Sequence, residues 1–364
     1  RYRYFIMRMS TKQFAAEHVS VKDFDTTING KAVKLFTLVS DQLVVTVTNY
    51  GARLVHLVTA DKYNQMVDVL TGPATIHDFL NAENPYYGAI IGRYANRIAN
   101  GKFSLNNQTF QLEQNVGINH LHGGSGGFHT KVWEVLESSS QSLQLQYTSP
   151  DGEEGYPGSV VTTITFKVVL NSLHIHYKAE SDQATILNLT HHPFFNLNGC
   201  GSGTVYEHKL SIDADRFLPV SEQVIPTGEM AAVEETVFDF RKPEFIGKRL
   251  FEADVQLLRG NGYDHCFVLN AKNEQLLTPA AVAVGDVSGI EMKLFTTEPG
   301  LQLYTGNFMT GENKMKYNAT DGKHTAFCLE AQHFPDSPNQ EKFPSVRLNA
   351  GESYLSTIIY QFQS

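Results

Sequence analysis

Polar and apolar residues alternate with a period of two along most of the chain. "SLQLQYTS" (142–149), "VVTTITFKVVL" (160–170) and "SLHIHYKAE" (172–180) show it plainly, and Asn, Ser, Asp and Gly separate them. Successive strand side chains point to opposite faces, so such runs read as half-buried β-strands. "QLVVTVTNYGARLVHLVT" (42–59) reads as two β-rich runs broken at Asn49-Tyr50-Gly51, and "ATILNLTHH" (184–192) as a further strand. "EHKLSIDADRFLPV", "DHCFVLN", "GIEMKLFTTE", "LQLYTGNF" and "TAFCLEAQ" carry the pattern to residue 332. Convincing helical periodicity is missing, and only "GPATIHDFLNAEN" (72–84) offers a short helical turn. The expected fold is all-β: one large antiparallel β-sandwich with long loops and few short helices, preferred over a two-domain split. The domain is expected over 23–364. Residues 1–22 read as an N-terminal extension, a candidate for non-native sequence before a natural start at Met7 or Met9.

The totals narrow the partners. A net charge of −9 without a basic stripe argues against nucleic acid and against an anionic membrane surface. No apolar run reaches the length of a membrane span, and "RYRYFIMRMS" lacks the apolar stretch of a signal peptide, so the expected location is the cytoplasm. Cys200, Cys266 and Cys328 have no C-x-x-C spacing and form neither a disulfide scaffold nor a structural zinc set.

Alternation also sorts the candidate chemistry. In 187–192, Leu187, Leu189 and His191 share an apolar face, while Asn188, Thr190 and His192 share a polar one. Pro193 biases His192 toward an extended backbone. Of the adjacent pair, His192 is therefore the one expected to reach a site, unless it is a hydrogen-bonded structural histidine. In "NHLHGGSGGFH" (119–129), His120 and His122 would share a strand face, and the glycines that follow would let backbone approach a ligand. A His-x-His metal site is the sharper alternative there. In "TAFCLEAQ", Glu330 is a carboxylate inside an apolar strand, where burial would make it a better proton acceptor near neutral pH. A nearby arginine that merely neutralises it is the plainer reading. Arg93 and Arg97, Asp264 and His265, and Gln302 and Tyr304 complete an inventory that suits a polyhydroxylated ligand.

Taken in order, these stretches resemble the aldose 1-epimerase (galactose mutarotase) family. "NYGARL", "GRYANRIANGKF", "NHLHGG", "DGEEGYPG" and "LTHHPFFNLNG" carry the first half. "RFLPVSEQVIPTGE", "FDFR", "YDHCFVL", "PGLQLYTGN", "CLEAQHFPDSPNQ" and "FPSVRLNAGESY" carry the second, so the resemblance runs from about residue 23 to the end. No single motif is specific, but their order is. The resemblance implies a sandwich with an open sugar cleft and an enzyme that interconverts the α and β anomers of free galactose or glucose without cofactor or metal. It implies Glu330 as general base, His192 as general acid and His122 as its assistant. The sugar contacts it implies are Asn96, Arg97, His122, Asp264 and Gln302. The expected assembly is a monomer or homodimer. Two positions depart from many relatives: His191 stands where they carry Asn, and Phe194 where they carry Tyr. His191 is expected to pack, and Phe194 to alter the cleft slightly. Three rivals remain on the same scaffold: a non-catalytic sugar-binding module, a glycoside hydrolase with Glu330 and Asp264 as its carboxylates, and a mutarotase of sugar 6-phosphates.

Overall fold

The long period-two runs become neighbours in one antiparallel sheet. The computed structural model describes residues 9–270 and 276–364. Its largest sheet has nine strands, in the order Glu134–Ser138, Ser142–Ser149, Val160–Val169, Ser172–Ser181, Ser353–Gln363, Glu291–Thr296, Thr278–Val284, Lys209–Ile212 and Glu244–Phe245. In Val160–Val169 the alternation works as read: Ile164, Phe166 and Val168 are buried, while Val161, Lys167 and Val169 face outward. The last long strand, Ser353–Gln363, sits at the centre of this sheet, between Ser172–Ser181 and Glu291–Thr296.

A second sheet carries the chemistry. Its order is Ala231–Ala232, Arg216–Phe217, Asp264–Val268, Gly300–Tyr304 and Cys328–Gln332, all antiparallel. Gly300–Tyr304 and Cys328–Gln332 are buried on both faces. Leu301, Leu303, Leu329 and Ala331 enter the core, so Gln302 and Glu330, direct register partners, turn to the opposite side. A third sheet of four strands, Leu35–Val39 to Met66–Asp68, closes the core from the N-terminal side. One apolar cluster draws on all three sheets and runs from Leu38 to Phe362.

Three short α-helices are present among the described residues: α1 (Thr11–His18), α2 (Ile76–Asn81) and α3 (Val255–Gly260). Only α2 was expected. α1 starts on a capping box formed by Ser10 and Gln13 and lays Phe14 against Val44 and Val58. α3 starts on the Asp254 carboxylate, which accepts from two backbone N–H groups. Helices of six to eight residues show too little periodicity to read from pattern, and their caps carry the signal instead. No helix of the described residues is long and apolar enough to cross a membrane.

The strand read over 184–192 shrinks to two pairs, Thr185–Ile186 and Thr190–His191. Fully buried Asn188 lies between them and acts as a clamp. Its side-chain oxygen accepts from His333 N–H at 2.9 Å, and its amide donates to His333 O at 3.2 Å and Ala95 O at 3.3 Å. Three distant segments, ending near residues 95, 188 and 333, are thereby locked side by side.

Candidate active site

Those three segments deliver side chains to one cavity of about 260 Å³. Asn96 and Arg97 follow Ala95, His192 follows Asn188 by four residues, and Glu330 precedes His333 by three. His122 and Asp264 complete the wall, from the loop after His120–Leu121 and from the first residue of Asp264–Val268. His192 Nε2 lies 3.5 Å from Glu330 Oε1, and both side chains are almost wholly buried. Arg97 stands 3.6 Å from Asp264, whose other oxygen accepts the Gln302 amide at 2.7 Å.

Burial dominates the electrostatics here. It holds the Glu330 carboxyl well above the usual carboxylate range, with the nearby Asp264 charge adding to the rise and Arg97 opposing it. The same loss of water pushes the His192 imidazole down to about 3. His122 is also driven well below the ordinary histidine value, by burial first and then by His192 and Arg97. Burial thus favours the uncharged form of both groups, the imidazole and the carboxyl alike. Glu330 Oε2 has no hydrogen-bond partner among the described residues, which leaves it open to a ligand.

On distance alone, His122, His192 and Glu330 could converge on a metal ion, since their ligand atoms lie within 4.8 Å of one another. The hydrogen bonding of His122 speaks against it. Its Nδ1 accepts the Asn96 N–H at 3.1 Å, so the neutral ring carries its proton on Nε2. That group is a donor for a ligand oxygen and has no lone pair to offer a cation.

Of the residues expected at the site, Glu330, His192, His122, Asn96, Arg97 and Asp264 line the cavity. Gln302 stands behind the wall and braces Asp264. Several lesser expectations are corrected. His120 does not share a face with His122. The strand there ends at Leu121, His122 takes φ 52°, and the His120 ring is buried between Glu113 O and Tyr156 OH. The glycines after His122 admit protein atoms where a ligand was expected. A Cβ on Gly123 would meet Gly92 O at 2.0 Å, and one on Gly124 would meet the Glu154 carboxylate at 2.2 Å. Asn188 and Thr190 form no cleft wall, being fully buried. Arg93 is a structural clamp on the carbonyls of Ser149, Pro150, Pro157 and Gly158. His265 is buried with its Nδ1 on Asp264 N–H. Phe194 is fully buried against Tyr87 and His192 and does not line the cleft. His191 packs as expected, with its ring joined to Tyr177 OH and Ala52 O.

Tyr304 lines the cavity, and so do Glu83, Tyr86, Phe308 and Asn313, which pattern reading missed. They sit on two loops that bind each other: Glu83 N–H donates to Asn313 Oδ1 at 2.8 Å, and Thr310 donates to the Glu83 carboxylate at 3.0 Å. "NPYYG" was the available signal, a turn sequence just after α2 that carries an aromatic.

The family model described as aldose 1-epimerase matches residues 34–361. The galactose mutarotase of Sus scrofa is 42% identical over 332 residues, covering 91% of this chain and 94% of that protein. The aldose 1-epimerase of Escherichia coli (strain K12) is 35% identical over 338 residues, covering 92% and 96%. Among solved structures, an aldose epimerase homologue from C. elegans superposes with a TM-score of 0.84 at 29% identity, covering 91% of this chain and 99% of that one. Galactose 1-epimerase from Lactobacillus acidophilus NCFM gives 0.81 at 30%, covering 93% and 96%.

Proposed function

We propose that this chain, which belongs to the aldose 1-epimerase family and interconverts the α and β anomers of free hexoses such as galactose and glucose, does so with Glu330 and His192 as its acid–base pair. The observation that carries the assignment is the 3.5 Å approach of a buried imidazole and a buried carboxyl, side by side in the wall of a cavity of about 260 Å³.

Ring opening needs a base at the C1 hydroxyl and an acid at the ring oxygen. Glu330 takes the hydroxyl proton, the O1 electron pair forms the carbonyl, the C1–O5 bond breaks, and O5 takes a proton from His192. Rotation about C1–C2 presents the other carbonyl face, and the same transfers in reverse close the ring. The open-chain stage leaves Glu330 protonated and His192 neutral. That is the arrangement burial favours, so the dry cleft stabilises the proton distribution that accompanies the aldehyde. The starting state, carboxylate and imidazolium, holds the same number of protons and differs by one transfer across the pair. Asp264 and Arg97 fix sugar hydroxyls by charge-assisted hydrogen bonds, and Asn96 and His122 add neutral donors. Gln302 acts on the sugar through Asp264.

The cleft wall favours a free sugar over a sugar phosphate. Arg97 is the one permanent cation among the described lining residues, and Glu83 sits with it at the wall. Inorganic phosphate should not compete with galactose.

Polarimetry on fresh α-galactose tests the pair. Glu330→Ala and His192→Ala should each slow mutarotation by roughly 10²–10⁴-fold. His122, with its proton on Nε2, is the rival acid. Near-wild-type turnover in His192→Ala, with loss in His122→Ala, would transfer the role to His122.

The proposed domain spans 23–364, supported by the continuous core, with 1–22 as an extension whose helix α1 packs on the third sheet. The proposed setting is the cytoplasm, where the unpaired Cys200, Cys266 and Cys328 suit a reducing compartment. The proposed assembly is a monomer or homodimer, which sedimentation distinguishes.

A further inference from the structure

A histidine that transfers protons at one ring nitrogen is ordinarily aimed by a hydrogen bond at the other. His192 has no such bond to a neighbour: among the described residues its Nδ1 finds no partner beyond its own backbone. Its χ2 torsion is intrinsically broad, so something else must set the ring. Rings surround it. Phe194 lies near-parallel at 4.9 Å and 18°, and Tyr86 near-parallel at 6.0 Å and 18°. His122 meets it edge-on at 5.3 Å and 81°, and Tyr304 at 6.3 Å and 75°. Phe194 is fully buried and held by Tyr87 at 4.5 Å, so it is a fixed plate. Tyr86 reaches over from the cleft loop and also touches His122 and His129 edge-on.

We propose that Phe194, with Tyr86, is the positioning residue for His192: aromatic stacking aims the imidazole at the ring oxygen and steadies its protonated form. The inference rests on the acid role of His192 given above. The physical basis is twofold. Stacked plates restrict χ2 without consuming a ring nitrogen. Aromatic faces also attract a cation, and more strongly where water is excluded. The other titratable or charged groups around His192 are Glu330, His122, His129, Tyr304, Arg97 and Asp264. Burial lowers the histidines among them, so they offer little positive charge to repel an imidazolium. Phe194 thereby gains a use that its position outside the cleft wall would otherwise hide.

Phe194→Leu removes the plate and keeps an apolar side chain. Misaim of a reacting group by about 1 Å costs on the order of 10²-fold, so kcat should fall roughly 10- to 100-fold. KM for galactose should stay within about threefold, because Phe194 touches no sugar. Calorimetric titration with galactose should still count every chain as a binding site. Phe194→Tyr keeps the plate and should restore the kcat that Phe194→Leu loses to within about threefold of wild type. Tyr86→Leu should lower kcat in the same sense, and it carries the test alone if Phe194→Leu does not fold. Wild-type kcat in Phe194→Leu, or a loss that merely tracks a fall in the number of binding sites, overturns the proposal. Those outcomes with an inactive His192→Ala reject the positioning role only, whereas an active His192→Ala rejects the acid assignment beneath it.

Discussion

In the proposed mechanism Glu330 and His192 act as one unit, because one takes a proton from the sugar as the other supplies one within the same turnover. Glu330→Gln keeps the shape of the side chain and removes the proposed base. Its kcat should fall by about 10²–10⁴-fold with KM for galactose little changed, as read by polarimetry. Adding His192→Asn should cost far less than the product of the two single losses, since groups that act together are strongly non-additive. Asp264→Asn should instead raise KM by about tenfold or more, because in the proposed binding mode it weakens charge-assisted bonds made in ground and transition state alike. At this scale the chain was partly readable. A carboxylate among apolar strand residues marked Glu330, and strand phase separated His192 from His191. Phase worked for the histidines even though the strand there is only Thr190–His191. It failed for Asn188 and Thr190, whose polar face turned out to pack against protein. Alternation reports which residues share a side and does not say whether water or backbone lies there.

Between elements, polar clamps decide where the site-bearing segments lie. Asn188 holds three of them. A second clamp pins the loop that brings Phe308 and Asn313 to the cleft: Lys316 meets Asp68 at 2.7 Å in a wholly buried pair, and its ammonium also donates to Val55 O. Asp68 further accepts from Leu57 N–H, Leu70 N–H and Tyr317 OH. Lys316→Met would leave that carboxylate buried without its cation, a change that costs about 3–5 kcal/mol. Urea unfolding should show the loss as a lower midpoint with an unchanged slope. The long strands were legible because their signal is local and repeats every two residues. The clamps were not, since Lys316 and Asp68 are 248 positions apart and each reads singly as an ordinary surface charge. Helices α1 and α3 were missed for the opposite reason: they are local but too short for periodicity to register.

For the whole molecule, the buried histidines set the response to acid. His56, His129, His191, His192, His208 and His265 are pushed by burial to about 3 or 4, from an ordinary value of 6.5. Well above pH 6.5 they are neutral in both folded and unfolded chains and contribute no pH dependence. From there down to about 4, the unfolded chain binds protons that the folded chain refuses, so stability falls as pH falls. Each contributes up to roughly 1.4 kcal/mol per pH unit in that window. Glu330 runs the other way: raised in the fold, it costs stability at neutral pH and is relieved on acidification. The histidines outnumber it, so the urea midpoint should drop steadily between pH 6.5 and 4.5. A flat midpoint would contradict their burial as neutral rings. What the amino-acid order determined by itself was the all-β class, the long strands and a short roster of chemical groups, because strand patterning and residue type are local properties. Tertiary structure alone decided which of those groups meet. It put His192 beside Glu330, placed Gln302 behind Asp264, turned His120 away from His122, and stacked Phe194 on His192. Those outcomes depend on how distant segments are clamped and on how much water remains between them, and neither quantity is written in any single stretch of the chain.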